Sequence, residues 1–253
     1  MPIALTRPVP ARLAQCELTH VDRLPIDVDR AAAQHRAYEA ALATLGCAIR
    51  RLPAADELAD SVFVEDVAIV LDEVAVITRP GAMSRRAERD SVAPVLSEYR
   101  ALVTIAAPGT LDGGDVLRLG RTLYVGLSTR TNEDGARQLA RLVQPFDYAV
   151  RCVQTSACLH LKSAATAIAT DRVLCNPAWV EPRIFEGVDA VEIPAEEPHA
   201  ANVLRVGDAL LCAAAYERTV ADLRARGYAV TTVDVSELAK AEAGVTCCSL
   251  LVE

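Results

Sequence analysis

The chain carries two adjacent cysteines, Cys247 and Cys248, after the stretch Gly244-Val245-Thr246 and before the apolar run Leu250-Leu251-Val252. On an extended backbone neighbouring side chains point to opposite faces. One sulfur can then face a cleft while the other packs inward, which is the placement a thiolate nucleophile needs. Two buried thiols would look the same in isolation, since free cysteine is among the most buried residue types. Three further blocks carry reactive groups. Asp60, Glu65 and Asp66 put three carboxylates within seven residues of an otherwise apolar run. Leu111-Asp112-Gly113-Gly114-Asp115 pairs acids with glycines, and Leu159-His160-Leu161-Lys162 sets a histidine and a lysine on one face of a strand. Each block has a plain structural reading: a solvated strand edge, a turn, a core histidine. Jointly they offer a nucleophile, a proton carrier and an acidic recess for a cation.

The elements that must position these blocks recur along the chain. Residues 62–71 and 74–78 read as paired strands, followed by a helix that Ser84 could cap. Strands at 116–119 and 122–125 flank Gly120-Arg121, and then come a helix over 132–143 and a strand over 148–153. A third hairpin spans 159–169 and 173–175 around Thr170-Asp171. A fourth spans 202–206 and 209–212 around Gly207-Asp208, with a helix near 216–226 and a strand over 228–233. The fifth begins at Cys248 and lacks room to finish. Its missing parts are available at the other end, in a strand at 5–7, a helix over 27–45 stopped by Gly46, and a strand over 47–52. The repeat is hairpin, helix, strand, with roughly 43 to 54 residues between hairpin starts. Two termini that share one unit favour a closed α/β ring of five ββαβ units over a doubly wound sheet, because closure removes exposed sheet edges.

Composition narrows the class of function. The formal net charge is −8, and no basic run interrupts it, which argues against nucleic-acid binding and favours a cationic small molecule. The opening residues lack a basic leader and an apolar core, and no apolar run approaches the roughly 18 residues that cross a bilayer, so a cytoplasmic protein without a membrane partner is expected. The eight scattered cysteines are expected to be reduced. Cys152, Cys158 and His160 approach zinc-ligand spacing but lack a fourth member, so no metal is expected.

Six stretches together closely resemble the dimethylarginine dimethylaminohydrolases of the guanidine-modifying (pentein) superfamily. They are Phe63-Val64-Glu65-Asp66-Val67-Ala68, Ile77-Thr78-Arg79-Pro80-Gly81-Ala82-Met83-Ser84-Arg85-Arg86, Leu111-Asp112-Gly113-Gly114-Asp115-Val116-Leu117, Val125-Gly126-Leu127-Ser128-Thr129-Arg130-Thr131-Asn132, Leu159-His160-Leu161-Lys162-Ser163 and Thr246-Cys247-Cys248-Ser249. The resemblance spans nearly the whole chain. It implies a five-bladed α/β propeller, one domain over 1–253, and hydrolysis of Nω-methylated arginines to citrulline without a cofactor. It makes Cys247 the nucleophile, His160 the general acid and base, and Asp112 the acidic partner of the histidine. Glu65 and Asp66, with Asp60 nearby, match the group that receives the guanidinium and its neighbours. Arg85 and Arg130 match the pair that holds the α-carboxylate, Leu18 a lid position, and Ala241 a backbone contact ahead of the nucleophile.

Elementary chemistry points the same way. A guanidinium is always charged in water, and burying it unpaired is prohibitive, so carboxylates at the floor have a reason to exist. The leaving amine must be protonated, which suits a histidine. A bound cation beside Cys247 stabilises its thiolate. Arginine deiminases are the alternative within the superfamily, but there the histidine is followed two residues on by an aspartate, where this chain has Lys162. A non-catalytic binding protein on the same scaffold would be expected to lack the cysteine or the histidine. The oligomeric state, a homodimer included, is left open.

Overall fold

The computed structural model describes residues 1–253. Strand β1 (Ile3–Thr6), helix α1 (Val28–Thr44) and strand β2 (Ala48–Arg51) come first. The side chain of Asp27 starts α1 by accepting the Arg30 N–H at 3.0 Å. Next come β3 (Ala68–Val70), β4 (Val74–Ile77), α2 (Arg89–Leu96) and β5 (Ala101–Thr104). The second unit is β6 (Val116–Leu119), β7 (Thr122–Leu127), α3 (Glu133–Val143) and β8 (Ala149–Gln154). The third has a one-turn helix α4 (Leu161–Ala164), then β9 (Ala165–Ala169), β10 (Arg172–Cys175) and β11 (Asp189–Glu192), with only a 3₁₀ turn before its last strand. The fourth is β12 (Leu204–Val206), β13 (Ala209–Ala213), α5 (Glu217–Ala225) and β14 (Ala229–Val233). A short helix α6 (Ser236–Ala239) and strand β15 (Leu250–Val252) complete the chain.

These strands form five three-stranded sheets of one pattern, a mixed α/β architecture. In four of them a hairpin is followed by a parallel third strand: β3-β4-β5, β6-β7-β8, β9-β10-β11 and β12-β13-β14. Glycines at φ +58° turn two of the hairpins, Gly120 and Gly207, where a side chain would be strained. The fifth sheet is β15-β1-β2, with Ile3 opposite Val252 and β1 parallel to β2. The first and last strands of the chain therefore share one sheet, as the repeat pattern required.

Five hydrophobic clusters hold the sheets together, and each joins two that follow one another. Val76 packs with Val125 and Leu139, Leu117 with Val173 and Phe185, and Leu174 with Leu210 and Leu223. Leu211 packs with Tyr38 and Cys248, and Leu250 with Ala75 and Val92. Each such fully buried aliphatic side chain contributes about 1.5–3 kcal/mol. The core is thus distributed in cyclic order, and neighbouring hairpins meet through their first strands, β15 with β3, β6 with β9 and β9 with β12. No helix is long and apolar enough to cross a membrane.

Two expected strands start differently. The run from Val62 enters its sheet through a 3₁₀ turn, Val64–Val67, and the run from Leu159 enters through α4. Ser84 caps nothing; its hydroxyl donates to Glu17 instead.

Candidate active site

The 3₁₀ turn at Val64–Val67 is imposed by its neighbours. The Glu65 N–H donates to the Cys247 carbonyl at 3.2 Å. Gly113 presses so close that a Cβ there would stand 2.0 Å from the Glu65 carbonyl oxygen. In such a turn successive side chains diverge by about 120° rather than to opposite faces. Both acids can therefore serve the centre of the molecule. Glu65 pairs with Lys162 Nζ at 2.7 Å and accepts the Thr246 hydroxyl at 2.7 Å. Asp66 pairs with Arg85 at 2.5 Å and accepts the Gly114 N–H at 2.9 Å. The two glycines of the Asp112–Asp115 stretch do more than turn the chain. A Cβ on Gly114 would lie 2.6 Å from His160 Nδ1 and 2.7 Å from Asp66 Oδ1, so only glycine lets these groups meet.

His160 stands between two carboxylates. Its Nε2 lies 3.1 Å from Asp112 Oδ2, and its Nδ1 lies 3.8 Å from Asp66 Oδ1. Burial alone would favour neutral imidazole, but Asp66, the Asp112 bond and Asp115 outweigh it and raise the pKa to about 9. Burial likewise opposes charge on Asp66, yet His160 and Arg85 hold it down at about 2. Asp112 is fully buried and accepts the Gly81 N–H at 2.9 Å. Asp115, which the sequence marked only as part of a turn, accepts the Leu161 N–H at 3.0 Å and the Ser128 hydroxyl at 2.6 Å. It thereby fixes the start of α4 and, with it, the histidine. Burial raises Asp115 to about 6 in spite of those bonds. Ligand atoms of Asp66, Asp112 and His160 converge within 4.8 Å, and the negative charge of the two carboxylates is balanced here by Arg85 and the imidazolium. Cys152 is exposed and Cys158 buried, with the Cys158 thiol donating to the His160 carbonyl.

The cysteine pair lies in a turn just before β15 rather than on an extended strand. Cys247 is half-buried and Cys248 fully buried, packed with Tyr38 and Leu42. The turn is gripped on both sides. The Tyr38 hydroxyl donates to the Val245 carbonyl at 2.8 Å and lies 2.7 Å from the Ser249 hydroxyl. Asn202 accepts the Thr246 N–H at 3.1 Å and donates to both the Thr246 hydroxyl and the Lys162 carbonyl at 3.0 Å. Lys162, Glu65, Thr246 and Asn202 thus form a closed hydrogen-bonded circuit through the first, third, fourth and fifth units. Burial pushes the Cys247 thiol up, and Glu65 and Asp66 add to it, against the Gly244 N–H that points at the sulfur. A thiol so placed stays protonated until a positive charge arrives beside it.

A buried acid-flanked histidine and a half-buried thiol on either side of paired carboxylates can be set against known proteins. The profile of the arginine deiminase family matches residues 54–199. An N(G),N(G)-dimethylarginine dimethylaminohydrolase of Streptomyces coelicolor is 41% identical over 249 residues, which are 98% of this chain and 95% of that relative. The chain belongs to the dimethylarginine dimethylaminohydrolase family. A second family member, from Pseudomonas aeruginosa, is 36% identical over 226 residues, 88% of this chain and 89% of the relative. A solved structure of a Pseudomonas aeruginosa dimethylarginine dimethylaminohydrolase, a cysteine-to-serine mutant complexed with citrulline, is similar with a TM-score of 0.93 at 35% identity, over 98% of both chains.

In this member of the dimethylarginine dimethylaminohydrolase family the remaining expected residues lie in unequal positions. Arg85 is buried, and four of its five N–H groups are occupied: by Glu88 through Nε and Nη2, by Asp66 through Nη1, and by the Phe63 carbonyl. One N–H, on Nη1, is left for a ligand. Arg130 is less committed, 3.9 Å from Asp112 and 3.3 Å from the Thr19 hydroxyl. Asp60 accepts the Glu17 N–H with both oxygens, at 3.2 and 3.1 Å, and burial raises its pKa. Leu18 and Cys247 pack against the same hydrophobic cluster. The Ala241 N–H is taken by the Leu238 carbonyl at 2.9 Å. Two cavities flank the site: one of about 540 Å³ reaches Glu65 and Lys162, and one of about 380 Å³ is bordered by Leu159, Asn202 and Gly244.

Sequence reasoning missed three contributors, Glu88, Asn202 and Tyr38. Asn202 had a signal, since it stands at the start of the fourth hairpin, where the other units carry their reactive groups. Glu88 and Tyr38 had none beyond helical spacing.

Proposed function

We propose that this protein hydrolyses Nω-methylated arginines, asymmetric dimethylarginine and monomethylarginine, to citrulline and dimethylamine or methylamine. The observation that carries the reading is the pair of carboxylates, Glu65 and Asp66, set between the Cys247 turn and His160. The five sheets in cyclic order support a closed five-bladed α/β propeller over residues 1–253, with the site at its centre.

The guanidinium enters the acidic recess, and its charge lowers the pKa of the Cys247 thiol, which gives its proton to solvent, so the substrate prepares its own nucleophile. Attack on the central carbon gives a tetrahedral adduct. His160, held as imidazolium by Asp112 and Asp66, gives a proton to the methylated nitrogen. Its Nδ1 has no acceptor within hydrogen-bond distance and is the nitrogen we assign to this transfer. The amine departs and leaves a thiouronium on Cys247. Neutral His160 then takes a proton from water, whose oxygen attacks the same carbon; the carbon–sulfur bond breaks, the remaining water proton returns to the Cys247 sulfur, and citrulline is released. Arg130 receives the α-carboxylate, and Arg85 contributes one N–H while it holds Asp66 in place. Leu18, Asp60 and Ala241 border the amino-acid end. None of these steps calls for a cofactor or a metal.

The test is citrulline formation from asymmetric dimethylarginine, monomethylarginine and arginine, measured side by side. Preference for the methylated substrates is expected. Arginine turned over with ammonia release as the main activity would return the assignment to the deiminases, against the indication of Lys162. Binding of dimethylarginine without any turnover would favour a non-catalytic role.

A further inference from the structure

Glu242 lies five residues before Cys247 and occupies a costly backbone position. Helix α6 ends in a paired cap: the Ala243 N–H reaches the Leu238 carbonyl at 3.4 Å and the Glu242 N–H reaches the Ala239 carbonyl at 3.0 Å. The residue that donates the inner bond of such a cap takes the left-handed conformation, and glycine is its usual occupant. Here it is Glu242, at φ +60°. A residue held in a strained conformation is informative when its side chain does something glycine cannot.

The carboxylate of Glu242 crosses to the other end of the chain. Its Oε2 accepts the Thr19 N–H at 2.7 Å, and its Oε1 accepts the His20 N–H at 2.9 Å. These two N–H groups have no other acceptor. The same segment is tied at the Glu17 N–H to Asp60, at the Glu17 carboxylate to Ser84, and at the Thr19 hydroxyl to Arg130. Residues 17–20 therefore lie across four supports, Asp60, Ser84, Arg130 and Glu242, and two of them, Asp60 and Arg130, are residues we place at the substrate's amino-acid end. Glu242 is the support that comes from the nucleophile's own segment.

We infer that Glu242 is a positioning residue: it latches residues 17–20 over the substrate and links their closure to the Cys247 turn. Leu18, between the two anchored ends, is held against the cluster that also holds Cys247. The inference rests on the hydrolase reading above for its consequence in catalysis, but not for the latch itself.

The decisive variant is Glu242→Gly, which removes the carboxylate and suits the backbone. A purely structural role for this position predicts a fold as stable as the wild type or more so, with kinetics unchanged. A latch predicts the same or greater Tm, with KM for dimethylarginine raised about tenfold or more and kcat changed by less than about threefold. Glu242→Gln, which keeps one acceptor oxygen, should fall between. Amide hydrogen exchange of the ligand-free protein gives a readout independent of substrate. Protection of the Thr19 and His20 N–H groups should fall about tenfold or more in Glu242→Gly, while the Glu17 N–H on Asp60 loses less. Unchanged protection at Thr19 and His20, or an unchanged KM in an active enzyme, would overturn the inference. A wild type inactive on methylarginines would overturn the hydrolase reading alone, and exchange would still decide the latch.

Discussion

Arg85 beside Asp66 and Arg118 beside Asp72 make the same bond in opposite surroundings. Arg85 and its two acids, Asp66 and Glu88, are each 5% exposed or less at the side chain. At the tips of the first two hairpins Arg118 grips Asp72 with two bonds of 2.8 and 2.7 Å, but the pair is 35% and 46% exposed. The outer pair has the two-pronged geometry that the inner one lacks, yet water competes for both partners, and such pairs are worth about 0–1 kcal/mol. The inner group has no such alternative, so removing one member strands a charge. Its purpose is also different. Burial raises Glu88 even with Arg85 beside it, whereas Asp66 is held charged for the histidine. Geometry near the reacting groups is thus fixed by charges that cannot leave, while the hairpin tips are closed by charges that can.

Predictions that test this contrast run from the reacting groups outward. Cys247→Ser should lower turnover by roughly 10⁴-fold or more with the fold intact. Cys248→Ser should keep most activity and lose about 1–3 kcal/mol for a buried hydroxyl. Citrulline assays and urea unfolding on both variants check this, and equal loss of turnover would remove Cys247 from its role. Arg85→Ala should destabilise by about 3–5 kcal/mol because Asp66 and Glu88 are left unpaired. A midpoint in urea close to that of the wild type would show that the inner group behaves like a surface pair.

Asp112→Asn should act through pH. His160 is raised to about 9, so it stays imidazolium at neutral pH, and turnover should fall as pH rises through about 9. The same group contributes stability that is fully present below its ordinary pKa near 6.5 and lost as pH passes about 9. The amide can still accept the Gly81 N–H but no longer charges the histidine. The alkaline limb of the pH–rate profile should move to lower pH, with a maximal rate lower by about tenfold or more. An unmoved limb with an unchanged rate would reduce Asp112 to part of a turn. Arg118→Ala should change stability by no more than about 1 kcal/mol and leave turnover alone. A larger loss would mean that the hairpin tips, too, hold the site.

Much of this arrangement was readable before the fold was known, for reasons specific to each part. Hairpin, helix and strand recur because each hairpin buries one face and each parallel return needs a crossover, so spacing betrays the unit. The sharing of the fifth sheet by β15 and β1 followed from counting what the two ends lacked. Strand alternation did not foresee the turns at Glu65 and His160, since the local run is apolar and β-rich. There the Glu65 N–H on the Cys247 carbonyl and the Leu161 N–H on Asp115 override it. Those partners lie far off in sequence and leave no periodic trace. Arg85 illustrates the same limit: its residue type was legible, but not that Glu88 and Asp66 would take up most of its donors.

The sheet β15-β1-β2 pairs Leu5 with Leu250, and the cysteine turn leads directly into its edge. Strands some 245 residues apart must meet before that turn has a framework. Contacts of such high sequence separation are the slow part of folding, because the loop they close must be ordered first. The four inner units can form from nearby contacts, so Cys247, the nucleophile we propose, should be among the last groups to reach its place. A refolding experiment should therefore show most of the secondary structure returning before activity does. Denaturant too mild to unfold the four local sheets should silence the enzyme by parting this one first.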